Sequence, residues 1–213
     1  MNKTHFFDYT AAVASVCGDM SFRVPELRHI DIARVAFSFS QTKNSAPFGI
    51  FATTVPLRFE NGDAFQLNRK GLVYTVQKCL RSDGTEFLYI LYFYVPRFIE
   101  LPLLQKLETI VHELYHISPQ FNGDLRRFPG RCFAHGSSQK EYDRIVSRLV
   151  QYWLKQNPPE PLWDFLRFNF RDLTQQFGKL HGTRIPFPKI IPANSRKEMS
   201  GMSKNTGADF KPQ

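Results

Sequence analysis

The sequence predicts an α+β domain in which the strands precede the helices. Three observations predict it. Four strand-like segments lie between Ala33 and Val95, an apolar stripe at helical spacing runs from Leu103 to Ile117, and a second such stripe runs from Tyr142 to Trp153. A chain of 213 residues suits one domain with attachments, and it can bury a sizeable core without disulfides.

Taken in order, residues 1–22 read as a helical or irregular lead-in, punctuated by Pro25. Val35, Phe37 and Phe39 then alternate with Ala36, Ser38 and Ser40, as in a half-buried strand. A second strand pattern runs from Phe48 to Phe59, interrupted by Pro56, and Asn61-Gly62 signals a tight turn. Leu72 to Leu80 reads as the third strand, and Asp83-Gly84 as another hairpin turn. Phe87 to Val95 is apolar on both faces, which predicts a central strand ended by Pro96.

The first long helix is expected from Leu101 or Pro102, since proline is tolerated in the first turn. Ser118 to Arg131, with its prolines and glycines, reads as a loop. Ser138-Gln-Lys-Glu141 fits a capping box opening a second helix, with Tyr142, Ile145, Leu149 and Trp153 as its buried stripe. Asn157-Pro-Pro-Glu-Pro161 breaks that helix, and a third is expected over Leu162 to Phe177, ending at Gly178. Polar composition from residue 190 predicts a flexible tail, so the expected division is a domain over 1–189 and a tail over 190–213.

Within the first helix stands His112-Glu-Leu-Tyr-His116, an H-E-x-x-H motif. One turn apart, the imidazoles are separated by about 6 Å along the axis and roughly 40° around it. That spacing lets His112 and His116 hold one zinc ion, with Glu113 beside them to take a proton from activated water. At about 100° per residue, Gln105, Glu108 and Thr109 share the histidines' face, opposite the stripe of Leu107, Ile110 and Leu114. The plainer reading is a surface helix with two solvated histidines.

A catalytic zinc takes three protein ligands and keeps one position for water. His135 lies 19 positions after His116, in Phe133-Ala-His-Gly-Ser137, and is the nearest further histidine. Glu141 and Asp143 are rival ligands, although the capping box accounts for Glu141 and Asp143 also suits a group that orients a ligand. Tyr142 and Arg126 are candidate oxyanion donors by proximity, while their ordinary roles are core packing and ion pairing. Cys132 reads as a small buried residue rather than a ligand.

The run from His112 to Arg126, followed by His135-Gly136, resembles the phage-type metallopeptidase family. There, H-E-L-x-H-I leads into a Pro, Phe, Gly, Leu-Arg loop and a later histidine. More distantly it is similar to the SprT-like zinc peptidases. The likeness covers roughly residues 100–145 and implies a minimal zincin-like fold, a small, mostly antiparallel sheet packed on an active-site helix and a supporting helix. It implies zinc as cofactor, His112, His116 and His135 as its ligands, Glu113 as general base, and hydrolysis of peptide bonds in a protein or peptide substrate.

Three widely spaced cysteines, Cys17, Cys79 and Cys132, form neither a disulfide framework nor a cysteine zinc site, which points to a reducing compartment. The most apolar stretch, Phe87 to Val95, is far too short for a membrane span, so a cytoplasmic location is expected. Net charge is +9, of which +2 falls in residues 1–100 and +7 in residues 101–213. A basic second half can attract nucleic acid. The rival reading is therefore a basic nucleic-acid-associated protein with structural zinc and no activity, and a third is a protease acting on DNA-bound proteins.

Overall fold

The computed structural model describes residues 6–41, 49–128 and 138–193. The architecture is α+β, with small mixed sheets and helices on the described segments. In chain order, β1 (Phe6–Asp8) leads into α1 (Tyr9–Arg23), where the Asp8 carboxylate accepts from Ala11 N–H and caps the helix. Strands β2 (Val35–Gln41), β3 (Ala52–Pro56), β4 (Phe65–Leu67), β5 (Val73–Val76) and β6 (Tyr89–Val95) follow. Then come α2 (Leu103–Tyr115), α3 (Gln139–Lys155), α4 (Glu160–Trp163), α5 (Phe170–Phe177), β7 (Lys179–His181) and β8 (Ile190–Pro192).

The central sheet has the order β2-β6-β3, so the last of these strands in sequence lies between the other two. Tyr89 to Phe93 are all buried, as a strand that is apolar on both faces requires. Its pairing is antiparallel to β3 but parallel to β2, in register Val35 with Tyr89 through Gln41 with Val95. A mostly antiparallel sheet was the expectation; the observed central sheet is mixed. Inserting β6 between two strands that run in opposite directions makes one of its two pairings parallel.

Alternation along the strands divides the interior in two. Val35, Tyr89, Leu91, Phe93 and Ala52 join the main core with α1, α2 and α3. Ala36, Val55, Ile90 and Tyr92 face the other way, onto a smaller cluster completed by Val76, Phe87 and Ile185. On the main side Trp153 Nε1 of α3 donates to Asp19 of α1 at 2.7 Å, which ties these two helices together.

Two expectations from the sequence need correction. The helix expected over Leu162–Phe177 is three pieces: α4, a 3-10 turn over Asp164–Arg167, and α5. Asn169 restarts the helix, because its side chain accepts from Asp172 N–H at 2.9 Å and Phe168 before it is extended. The chain from 190 does not begin as a tail, because β8 pairs with β5 through Val76 with Ile190 and Tyr74 with Pro192. Two β-branched isoleucines there supply a pairing segment that polar composition further on conceals.

No helix among the described residues is long and apolar enough to cross a membrane.

A candidate metal and hydrolase site on the second helix

The site is positioned by the packing of α2. Leu107, Ile110, Leu114 and Ile117 are buried at 0–1 % exposure, which fixes the rotation of the helix against the core. Gln105, Glu108, Thr109, His112 and Glu113 then line one cleft of about 380 Å³. Its other walls are Ile50, Phe51 and Ala52, at the start of β3, and Asp143, Val146 and Ser147 of α3. Ser147 donates to Glu108 and Tyr142 to the carbonyl of His112, so α2 and α3 run antiparallel along the cleft.

The two motif histidines converge. His112 Nε2 and His116 Nε2 are 3.0 Å apart, with the rings nearly perpendicular at 79°. Two nitrogens bound to one tetrahedral zinc at about 2.0–2.1 Å stand roughly 3.3 Å apart. The observed separation is within a few tenths of that value. The donor pair therefore fits one zinc ion by spacing and by chemistry. His116 itself is the residue that ends α2, and its N–H still bonds His112 O at 3.2 Å.

The imidazoles are less open than a solvated helix face would leave them. Both are half-buried because Tyr142 packs on them, its ring stacked on His116 at 5.4 Å and edge-on to His112 at 4.9 Å. The Tyr142 hydroxyl donates to His112 O at 3.2 Å, and burial pushes the phenol well above its ordinary range. The neutral hydroxyl is tied to the helix backbone and the ring packs on the histidines, so Tyr142 positions them and does not line the cleft.

Arg126 is likewise accounted for by structure. Its Nε donates to Tyr115 O at 2.7 Å, its guanidinium lies 4.1 Å over the Tyr115 ring, and its N–H donates to His116 O at 2.6 Å. These bonds satisfy carbonyls at the end of α2 that have no partner within the helix. Arg127 pairs with Asp124 at 2.9 Å, so the loop after α2 is fastened at both arginines.

Glu113 is the least accessible of the three motif residues, at 6 % exposure. Burial pushes its carboxyl up to about 7, against the pull of the Thr54 hydroxyl. Thr54 Oγ1, on β3, lies 2.9 Å from Glu113 Oε2 and 2.7 Å from Glu113 O. A hydroxyl has one proton and two lone pairs. It donates to Oε2 when Glu113 is ionised, and it donates to the carbonyl while accepting from Oε2 when Glu113 is protonated. One residue of the sheet thus holds the carboxyl in either state.

A test of that clasp needs no activity. Thr54→Val keeps the volume but leaves a buried carboxyl and carbonyl without their donor, an expected loss of about 1–3 kcal/mol. Thr54→Ser should stay close to wild type in urea denaturation. Equal stability of all three proteins would contradict the assignment.

Of the rival ligands, Asp143 reaches the cleft, where it is exposed and accepts from Gln139 Nε2 at 2.7 Å. Glu141 pairs with Arg144 at 2.7 Å, and its N–H is capped by Ser138 Oγ at 3.3 Å. Among the described residues no three His, Cys, Asp or Glu side chains are grouped to hold a metal. His135 and Cys132 lie outside the described residues. Sequence reasoning missed Thr54, which lies 59 positions from its partner and belongs to no motif. Comparison of the chain with protein-family models, with curated proteins and with solved structures found no match.

Proposed function

We propose that the protein is a zinc-dependent metallopeptidase of minimal zincin type, with His112, His116 and His135 as zinc ligands and Glu113 as general base. One observation carries this reading: two Nε2 atoms stand 3.0 Å apart, and one of them belongs to His112, which lines the same cleft as the buried Glu113. Zinc held there supplies a Lewis acid that acidifies water and polarises a carbonyl oxygen.

The chain's own groups do the rest. Glu113, near neutrality, takes a proton from water at the cleft and returns it to the departing amine. Thr54 keeps Oε2 in place through both transfers. Tyr142 holds the imidazole pair by packing and through the carbonyl of His112. The peptide reading draws support from β3, which pairs with β6 alone among the described strands and leaves its outer edge beside the cleft. An extended peptide can add to such an edge by main-chain hydrogen bonds.

The test is metal content by plasma mass spectrometry, together with cleavage of an unstructured protein. One zinc per chain is expected in wild type, falling sharply in His112→Ala, His116→Ala and His135→Ala. Zinc retained in His135→Ala would move the third ligand to Asp143. No zinc in the wild-type protein after zinc is supplied would overturn the reading.

A further inference from the structure

The small sheet of β4, β5 and β8 shares no residue with the lining of the cleft. Its charge is one-sided. Arg69, Lys70, Lys78, Arg81, Arg184 and Lys189 lie on or beside these strands and are all exposed, while residues 65–81 and 173–193 contain no Asp or Glu. Arg81 pairs with Asp83 and Lys78 acts on the Glu86 carboxylate at longer range, while Arg69, Lys70, Arg184 and Lys189 form no ion pair among the described residues. Elsewhere Arg23, Arg58, Arg127, Arg144, Arg148 and Arg167 each pair with a carboxylate. Exposed Arg28, Lys140, Lys155, Arg171 and Lys179 form no ion pair among the described residues either, so what sets this sheet apart is the grouping of its cations on a segment without carboxylates.

The hairpin arranges those cations in a line. At its tip Asn68 Oδ1 accepts from the N–H groups of Lys70 and Leu72 at 2.9 Å, and Gly71 adopts φ +76°, so Arg69 and Lys70 form the turn. At the other end Gln77 N donates to Lys189 O at 2.8 Å, which sets Lys189 opposite Gln77, the neighbour of Lys78. Eight residues at about 3.3 Å each place the two ends roughly 25 Å apart.

Beside Lys189 stands Phe187, 60 % exposed. One face of its ring stacks on Tyr92, at 5.3 Å and 22°, and Tyr92 is anchored by its hydroxyl to Pro186 O at 3.1 Å. The outward face is therefore presented rigidly, between Arg184 and Lys189. An exposed aromatic face among unpaired cations is the arrangement on which single strands stack their bases while their phosphates meet the cations.

We infer that this sheet binds single-stranded nucleic acid, its backbone along Arg69, Lys70, Lys78 and Lys189 and a base on Phe187. The inference goes beyond the peptidase reading and stands independently of it. The basic surface draws on both halves of the chain, whereas counting charge along the sequence places most of the excess, +7 of +9, in the second half.

The test is fluorescence anisotropy of a labelled 20-nucleotide oligothymidine with the full chain over a range of salt. Wild type should bind, with affinity falling as salt rises. The triple variant Lys70→Ser/Lys78→Ser/Lys189→Ser should bind at least tenfold more weakly. Its salt slope should shrink by about 2, at roughly 0.7 per phosphate contact. Phe187→Ala should weaken binding about fivefold or more with the slope unchanged. Lys140→Ser/Lys155→Ser, on exposed positions of α3, is the control for loss of charge alone. Each of four results would overturn the inference: no salt-sensitive binding, a triple variant no weaker than the control, tighter binding to a duplex of equal length with Phe187→Ala silent, or binding to phosphatidylserine vesicles without binding to the oligonucleotide.

Discussion

Glu113→Gln is expected to keep its zinc and to lose peptide hydrolysis by a factor of about 10²–10⁴, the usual contribution of a positioned general base. The amide has the volume of the carboxyl and still accepts from Thr54, so the packing of α2 on β3 survives. It cannot take up a proton at neutral pH, so the step that turns water into a nucleophile is removed. Other carboxylates cannot substitute. Glu108 is bonded to Ser147 and Asp143 to Gln139, both on the α3 side of the cleft, and neither is buried as Glu113 is. The variant is measured by zinc content and by rates of cleavage with zinc saturating. A rate within tenfold of wild type, with zinc retained, would remove Glu113 from the mechanism and leave the metal site standing.

Much of the fold was legible because period and burial coincide. The stripes of α2 and α3 are largely buried where 3.6-residue spacing places them, although Leu103 and Ile145 are only half-buried and Val146 and Val150 join the core instead. β6 is central because it has no polar face. The start of α3 at Ser138 was legible from a local cap. What escaped is non-local. The parallel pairing of β6 with β2 depends on which strands flank it, and hairpin turn signals are silent on that. The break before α5 had a signal, Asn169 followed by Asp172 at capping distance, which the run of aromatics outweighed.

The site divides in the same way. His112, Glu113 and His116 are legible because one helix turn juxtaposes them, and the structure brings them together at the cleft and behind it. Thr54 is illegible because a tertiary contact, made by an ordinary strand residue, gives it its role. Arg126 and Tyr142 were legible as residues near the motif, but proximity in sequence does not say whether a side chain enters the cleft or fastens the helix behind it.

Lys106→Ala should be strongly destabilising, because Lys106 on α2 is not at the surface. It is 1 % exposed, and its Nζ donates to Leu166 O at 2.9 Å and Phe168 O at 2.7 Å. These two carbonyls belong to the break between α4 and α5, where no helix supplies them with N–H partners. Removing the side chain leaves both carbonyls unpaired and opens a cavity, an expected loss of about 2–4 kcal/mol. Lys106→Met keeps the volume and should lose less, so the difference between the variants isolates the cavity. Burial lowers the ammonium pKa to about 8 from its ordinary 10.5. The folded state therefore releases this proton first, and the unfolded chain holds more protons between those two values. Stability contributed by this group then rises as pH climbs from about 8 to 10.5. Wild type minus Lys106→Met, in urea denaturation at pH 7, 8.5 and 10, should show that rise while the other titrating groups cancel. A flat difference would mean that the two carbonyls hold the ammonium charged throughout, and that burial is not what sets its titration.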